Sequence, residues 1–595
     1  MTGKTAGLIL SVMRLQKSRI MRAAGSLRRK ELCWILLIAG ATALGLPAGG
    51  APVLSAAAGE SGGGAVRKLP ITARYLHLPV RPGAPKRRMQ LRVEGRLVDE
   101  FDIEYAPSKP AFRVFVDLGR FLGKGLEARI NLAGGDAALA ALRLAERVPG
   151  AERMYREPLR PQFHFTSRRG WHNDPNGLVW YEGEYHLYYQ HNPYGVGWGN
   201  MHWGHAVSPD LVHWRELPEA LYPPRYGDWC FSGSAVVDKQ NTSGWAKSGR
   251  APLVVFWTST GRGECVAYSL DRGRTFTEYE GNPVVRHRGR DPRVLWHAPS
   301  RAWVMAVYDE FAGGHDVAFY RSKDLKKWEY AGRIQGFYEC PNLFELPVQG
   351  KPGRKLWVLY GADGAYVLGR FDGRRFVREA GKFRLWHGNF YAAQTFSNEP
   401  KGRRIQIGWG RGVEFPGMPF NQQMTLPVEL SLRETPDGVR LFACPVSELE
   451  RLYREGRRWA RVGPVDGRCD LGVRLSDPLC RIRLRARPQG ARQFGLEVCG
   501  LSVVGDLQKR RLNVAGLDAP LPIKDGAADL DVWVDRGSIE VFAGGGGVAV
   551  SRAARPNAGK PGLVLFSRGG ATVWEEVRLW KLGSIWTNPP SGAGR

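Results

Sequence analysis

Apolar and polar positions alternate in short runs along most of this chain, and the dominant period is two. From Pro70 to Asn131 the runs ITARYLHLPV, MQLRVEGRLVDEFDIEY, FRVFVDL and LEARINL are separated by turn residues, which predicts a small all-β domain over 66–150. Its neighbour DAALAALRLAERV predicts a short helix or an irregular connector. From 161 onward the strand-like runs carry a repeat: SPDLVHW (208–214), SLDRGRTF (269–276), SKDLKKW (322–328) and a degraded copy, GRFDGRRF (369–376). Copies such as the first three follow runs like MHWGHAV, CVAYSL and DVAFYR. Their spacing of roughly fifty to sixty residues is that of four-stranded propeller blades. The stretch 161–435 accommodates five, with a tandem of β-sandwiches as the competing arrangement. CPVSELERLYREGRRW keeps helical periodicity for about three turns and predicts a linker helix at 444–459. Beyond it CRIRLRA, LDVWVDRGSIEVFAG, GLVLFSRG and ATVWEEVRLW alternate again, predicting a β-sandwich over 460–585. The predicted fold class is therefore all-β.

One apolar run is of another kind. The basic SLRRKE precedes LCWILLIAGATALGLPAGGA, and VLSAAAGE follows with small residues at peptidase-readable positions. That order is a secretory signal, assigned to 1–57, and it predicts a secreted or periplasmic protein. The unbroken core, Trp34 to Leu46, is short for a bilayer span, so no stable membrane anchor is expected, with a signal-anchor as the alternative. Met13 and Met21 are alternative starts, and Arg28-Arg29 gives a weak twin-arginine pattern. Cys33 lies before the apolar core and cannot be a lipid-modified first residue.

Composition narrows the classes further. At 595 residues the chain exceeds one core, and two or three domains are expected. A net charge of +29 suits a polyanion partner. The arginines, however, are scattered in ones and twos through strand-like segments, without a basic helix, zinc-ligand spacing or stacking motif. No nucleic-acid partner is expected. Of eight cysteines, Cys33 falls in the leader; the remaining odd set has irregular spacing and no metal-ligand pair. A single bridge among Cys469, Cys480 and Cys499 stays open.

Three carboxylates occupy related settings. Asp174 sits in GWHNDPNG, a stretch whose Asn, Asp, Pro and Gly read first as a tight turn. Asp291 sits in RGRDPRV and Glu339 in GFYECPNLFEL, and each of the three falls near the start of a proposed blade. The innermost strand of every propeller blade runs along the central channel, so distant residues converge there. Three acids in an aromatic-walled pocket suit glycoside hydrolysis: one attacks, one donates a proton and one steadies the sugar.

With WHNDPNG, YYQHNPYGVGWGNMHWGHAVSPDLVHW, FSGSAV, RDPRV, ECPNLF, FYAAQTF, PGMPFNQQMTLPVELSL and VDRGSIEVF in order, the chain resembles glycoside hydrolase family 32. These are levanases, inulinases and invertases, and PGMPFNQQMTLP is closer to extracellular levanases than to plant invertases. The resemblance implies a five-bladed propeller backed by a β-sandwich, and retention of anomeric configuration. It implies Asp174 as nucleophile, Glu339 as general acid/base and Asp291 as the residue holding fructose hydroxyls in the transition state. Trp171, Asn173, Gln190, Trp198, Phe231, Ser232 and Arg290 match positions lining the first sugar site, and Tyr391 and Trp409 match more loosely. The implied substrates are fructan or sucrose, with no metal or organic cofactor. Fructosyl transfer by the same three carboxylates and a non-catalytic sugar-binding propeller are the alternatives.

Physical expectations accompany the roles. Donors in its turn should keep Asp174 ionised. Phe337, Tyr338 and Cys340 should give Glu339 a weakly polar setting, and Arg290 should hold Asp291 ionised. A retaining pair should stand about 5–5.5 Å apart. Two positions depart from the family pattern: His172, expected to be structural, and Asn389, which casts doubt on outer-site contacts. Asp535, Arg536 and Glu540 in VDRGSIEVF are expected to make structural pairs.

Overall fold

The computed structural model describes residues 64–131, 135–247 and 249–586; the leader assigned to 1–57 lies outside them. Five sheets built on four antiparallel strands, consecutive in all but the fifth, form the blades of a propeller. Their innermost strands are Gly170–Tyr181, Cys230–Val237, Gly289–His297, Asn342–Pro347 and Tyr391–Thr395. A short strand, Phe420–Asn421, leaves the fifth blade and pairs in parallel with Gly170 and Trp171 of the first, helping to close the ring. Second strands such as Leu253–Ser259 and Ala302–Asp309 are buried throughout, whereas the outer strand Glu329–Gln335 is largely open to solvent. That gradient explains why the inner strands read as near-continuous apolar runs rather than a strict alternation.

The repeat marks the same turn in four blades, between the third and fourth strands. Asp210 Oδ1 accepts the N–H groups of Val212 and His213, and Asp324 Oδ1 accepts those of Lys326 and Lys327. Asp271 and Asp372 do the same for Arg274 and Thr275, and for Arg374 and Arg375. The residue after each Asp has positive φ: Leu211, Arg272, Leu325 and Gly373. These are Asx turns, in which the carboxylate supplies the acceptor the bent backbone lacks.

The predicted linker helix at 444–459 is not there. Only Ser447–Leu452 is helical, as a 3-10 segment with Leu449 and Leu452 buried, and Tyr453–Trp459 is a strand. That strand pairs antiparallel with Val577–Leu582, so sheet pairing overrides the helical propensity of its Glu and Arg residues. The C-terminal sandwich contributes eleven strands to one hydrogen-bonded system, whose twelfth, Trp386–Gly388, comes from the propeller and pairs in parallel with Val548–Ala553. Its layers are joined by Val564–Leu582, whose first half pairs with Gln493–Val498 and whose second half pairs with Cys480–Gln489.

The VDRG turn pins this sandwich to the propeller. Asp535 is fully buried and accepts the backbone N–H groups of Gln162, Phe163 and His164, and also His164 Nδ1 at 2.9 Å. Glu540 lies on the other side of the ring, 3.8 Å from His164 Nε2. Burial alone lowers the pKa of His164, but the two carboxylates outweigh it and raise it to about 9. Arg536 pairs with Asp477 at 2.5 Å. The structural pairing expected of this element is what the side chains do.

At the N-terminal end, a four-stranded and a three-stranded sheet enclose one core that includes Leu76, Met89 and Phe101. DAALAALRLAERV forms a 3-10 turn, Gly135–Leu139, and a short strand, Arg143–Ala145. All seven cysteines from Cys230 onward are unpaired, so the bridge left open among the last three is not formed.

Candidate active site

The first residues of the innermost strands meet at one end of the propeller channel. They line a cavity of about 330 Å³ that contains Asp174, Asp291 and Glu339. Asp174 Oδ2 accepts the Ser232 hydroxyl at 2.6 Å, and Oδ1 accepts the Asn173 amide at 3.0 Å. Burial raises its pKa above the ordinary carboxylate value, and those two donors, only one of them from the turn itself, offset that in part rather than holding it down as expected. Its stretch is thus a strand start as well as a bend, since the ladder is irregular between His172 and Pro175.

Asp291 and Glu339 sit on backbone that side chains seldom adopt, with φ of 70° and 52°. Asp291 is nearly sealed, and its Oδ2 accepts the Cys340 N–H at 3.1 Å. Burial, reinforced by the charges of Asp174 and Glu339, raises its pKa to about 7. Arg290 was expected to prevent this by clamping Asp291. Instead its guanidinium donates to Glu339 Oε1 at 3.1 and 2.5 Å, the strand being bulged between Arg290 and Arg293 so that chain adjacency does not set the partner. Tyr391 donates its hydroxyl to the other oxygen, Oε2, at 2.6 Å. Glu339 therefore does not have the weakly polar setting read from Phe337, Tyr338 and Cys340: Phe337 is buried in a neighbouring core and Tyr338 is half exposed. Both oxygens are held by polar donors.

The remaining expected residues fall around these acids. Gln190, Trp198 and Phe231 line the cavity, as does Trp409, whose indole N–H is anchored on Gln422 at 3.0 Å. Trp171 does not reach the cavity wall; its indole donates to Asn173 at 2.9 Å and so orients the amide that binds Asp174. Two wall residues, Tyr338 and Arg411, were not read as site residues. Arg411 is one of many scattered arginines, and its only signal was its place two residues after Trp409. Cys340 was read as apolar bulk, but its thiol lies 3.4 Å from Asp291 and 3.7 Å from Asp174. Burial raises the pKa of that thiol, keeping it a donor.

The two departures are structural. His172 is fully buried, accepts the Ser167 N–H at 3.1 Å, and is kept neutral by burial, with a pKa of about 3. Asn389 donates to the Arg411 carbonyl at 2.7 Å and accepts the Ala553 N–H at 2.9 Å, tying the Arg411 loop to the sandwich. No group of three or more His, Cys, Asp or Glu side chains among the described residues is arranged to hold a metal ion.

Comparison with known proteins identifies the family. The model for the glycosyl hydrolases family 32 N-terminal domain matches residues 164–445, and that for the family's C-terminal domain matches 502–581. The chain belongs to glycosyl hydrolase family 32. A levanase of Bacillus subtilis is 37% identical over 493 residues, covering 73% of this chain and 72% of the relative. An extracellular exo-inulinase of Aspergillus ficuum is 32% identical, covering 73% of this chain and 96% of the relative. The crystal structure of exo-inulinase from Aspergillus awamori superposes with a TM-score of 0.66 at 28% identity, covering 73% of this chain and all of that one. The family-32 match begins at 164, so the N-terminal β domain lies outside it. As a family member the chain is a glycoside hydrolase, and its acids stand on the first, third and fourth blades.

Proposed function

We propose that this protein is an exo-acting β-fructosidase that releases terminal fructose from fructan or sucrose by double displacement. The observation that carries the reading is the meeting of Asp174, Asp291 and Glu339 in one small cavity at the head of the propeller channel. Asp174 attacks the anomeric carbon, with Ser232 and Asn173 orienting its oxygens. Glu339 protonates the departing oxygen and then, as a base, activates the water that releases fructose. Asp291 accepts ring hydroxyls, and its interactions strengthen as charge develops on the sugar. The levanase and exo-inulinase relatives support fructan as the substrate class. Relatives described as extracellular, together with the apolar leader in the sequence, support export.

A leaving-group comparison tests the division of labour. Glu339→Ala should lose nearly all activity on sucrose or levan yet keep far more on an aryl fructoside, whose phenolate leaves without a proton. Asp174→Ala should lose both, because a good leaving group does not supply a nucleophile. Equal loss on both substrates in a folded Glu339→Ala protein would remove Glu339 from the acid role.

A further inference from the structure

The N-terminal β domain meets the propeller at the loop carrying Trp198. Phe101 stacks on Tyr194 with ring centroids 3.6 Å apart. Asn200 accepts the Asp102 N–H at 3.0 Å and donates to its carbonyl at 2.8 Å. Asn192 holds the Gly197 carbonyl at 2.8 Å from the propeller side. The glycine-rich turn bearing Trp198 is thus tied to both bodies. Between them lies a second cavity, of about 160 Å³, with Trp198 and Trp229 on one wall and Lys86, Asp102 and Glu104 on the other. Trp198 also lines the catalytic cavity, and its ring, 48% exposed, meets Trp229 edge-on at 5.1 Å.

This is the chemistry of a sugar subsite. A furanose unit offers apolar C–H edges to an indole and hydroxyls to charged side chains. Asp102 accepts the Tyr226 hydroxyl at 3.0 Å and Glu104 accepts the Gly83 N–H at 3.0 Å, which leaves each carboxylate with unused lone pairs. Lys86 is exposed and adds ammonium donors. We propose that the N-terminal domain builds an outer subsite here for the fructosyl units behind the leaving group of a fructan chain. The proposal rests on the β-fructosidase reading above. Lys86, Asp102 and Glu104 all precede residue 164, where the family match begins, so this wall of the subsite lies outside the matched catalytic body. On this proposal a disaccharide occupies the catalytic cavity alone, and a longer chain passes Trp198, which lines both cavities, to reach the second.

Steady-state kinetics on sucrose and on a fructan oligosaccharide of five or more units test this with a Lys86→Ala, Glu104→Gln double variant. The Gln keeps the acceptor for Gly83, so the local turn is preserved. KM for the long substrate should rise about tenfold, the loss of one charge-assisted hydrogen bond, with kcat and both sucrose parameters unchanged. Equal changes on sucrose and fructan would show that these side chains only buttress the Trp198 loop, and no change on either would show that the cavity binds nothing; both overturn the subsite. Failure of the unsubstituted protein to release fructose from either substrate would instead overturn the underlying β-fructosidase reading.

Discussion

Asp291 holds a carboxyl where ionisation is costly, since burial and two neighbouring carboxylates raise its pKa from near 3.8 to about 7. A raised folded-state pKa favours the protonated form, so the site's stability is full below about pH 4 and is lost as pH rises through 7. Asp291→Asn removes that cost while keeping an acceptor for the Cys340 N–H. It should abolish fructose release yet raise the free energy of unfolding at pH 8, by an amount on the order of 4 kcal/mol, with little change near pH 4. Identical unfolding free energies for both proteins at pH 8 would contradict the assignment. The convergence of Asp174, Asp291 and Glu339 was legible in sequence because Asn-Asp-Pro, Arg-Asp-Pro and Glu-Cys-Pro each occur once at a blade start. Their partners were less legible. Arg290 precedes Asp291 in the chain but binds Glu339, and Cys340 acts through its thiol and N–H rather than as apolar bulk. Side-chain direction at a bulged strand is set by the pairing, which adjacency in sequence does not reveal.

Among the elements, the blade strands were readable because one Asx turn recurs between the third and fourth strands, carrying the same Asp and a positive φ behind it. The 444–459 segment was not readable, because its Glu, Leu and Arg residues fit a helix locally and the competing partner strand lies more than a hundred residues away. The VDRG turn has the opposite character: a short motif whose partner, the chain at 162–164, could be found only in three dimensions. Asp535→Ala would leave three backbone N–H groups and the His164 ring without their acceptor, in a fully buried place. The expected cost is about 3–5 kcal/mol, read as a large fall in the thermal midpoint with both propeller and sandwich affected. A shift of only a degree or two would mean that the pin contributes little to joining them.

At the scale of the whole molecule, the propeller brings residues from 174, 232, 291, 339 and 391 to one end of one channel, and the sandwich braces the ring through Asp535, Glu540 and Asn389. The N-terminal domain grips the loop that carries Trp198 through Asp102 and Asn200. In the proposed mechanism the arrangement of the attacking and protonating carboxyls decides the stereochemistry. The central claim is that Asp174 and Glu339 act as a retaining pair across the fructosyl unit. Proton NMR of a fresh digest, recorded before the released sugar mutarotates, reads this directly. The account predicts that the first fructose appears with the β configuration of the substrate. Initial release of the α anomer would contradict double displacement and with it the roles given to both residues.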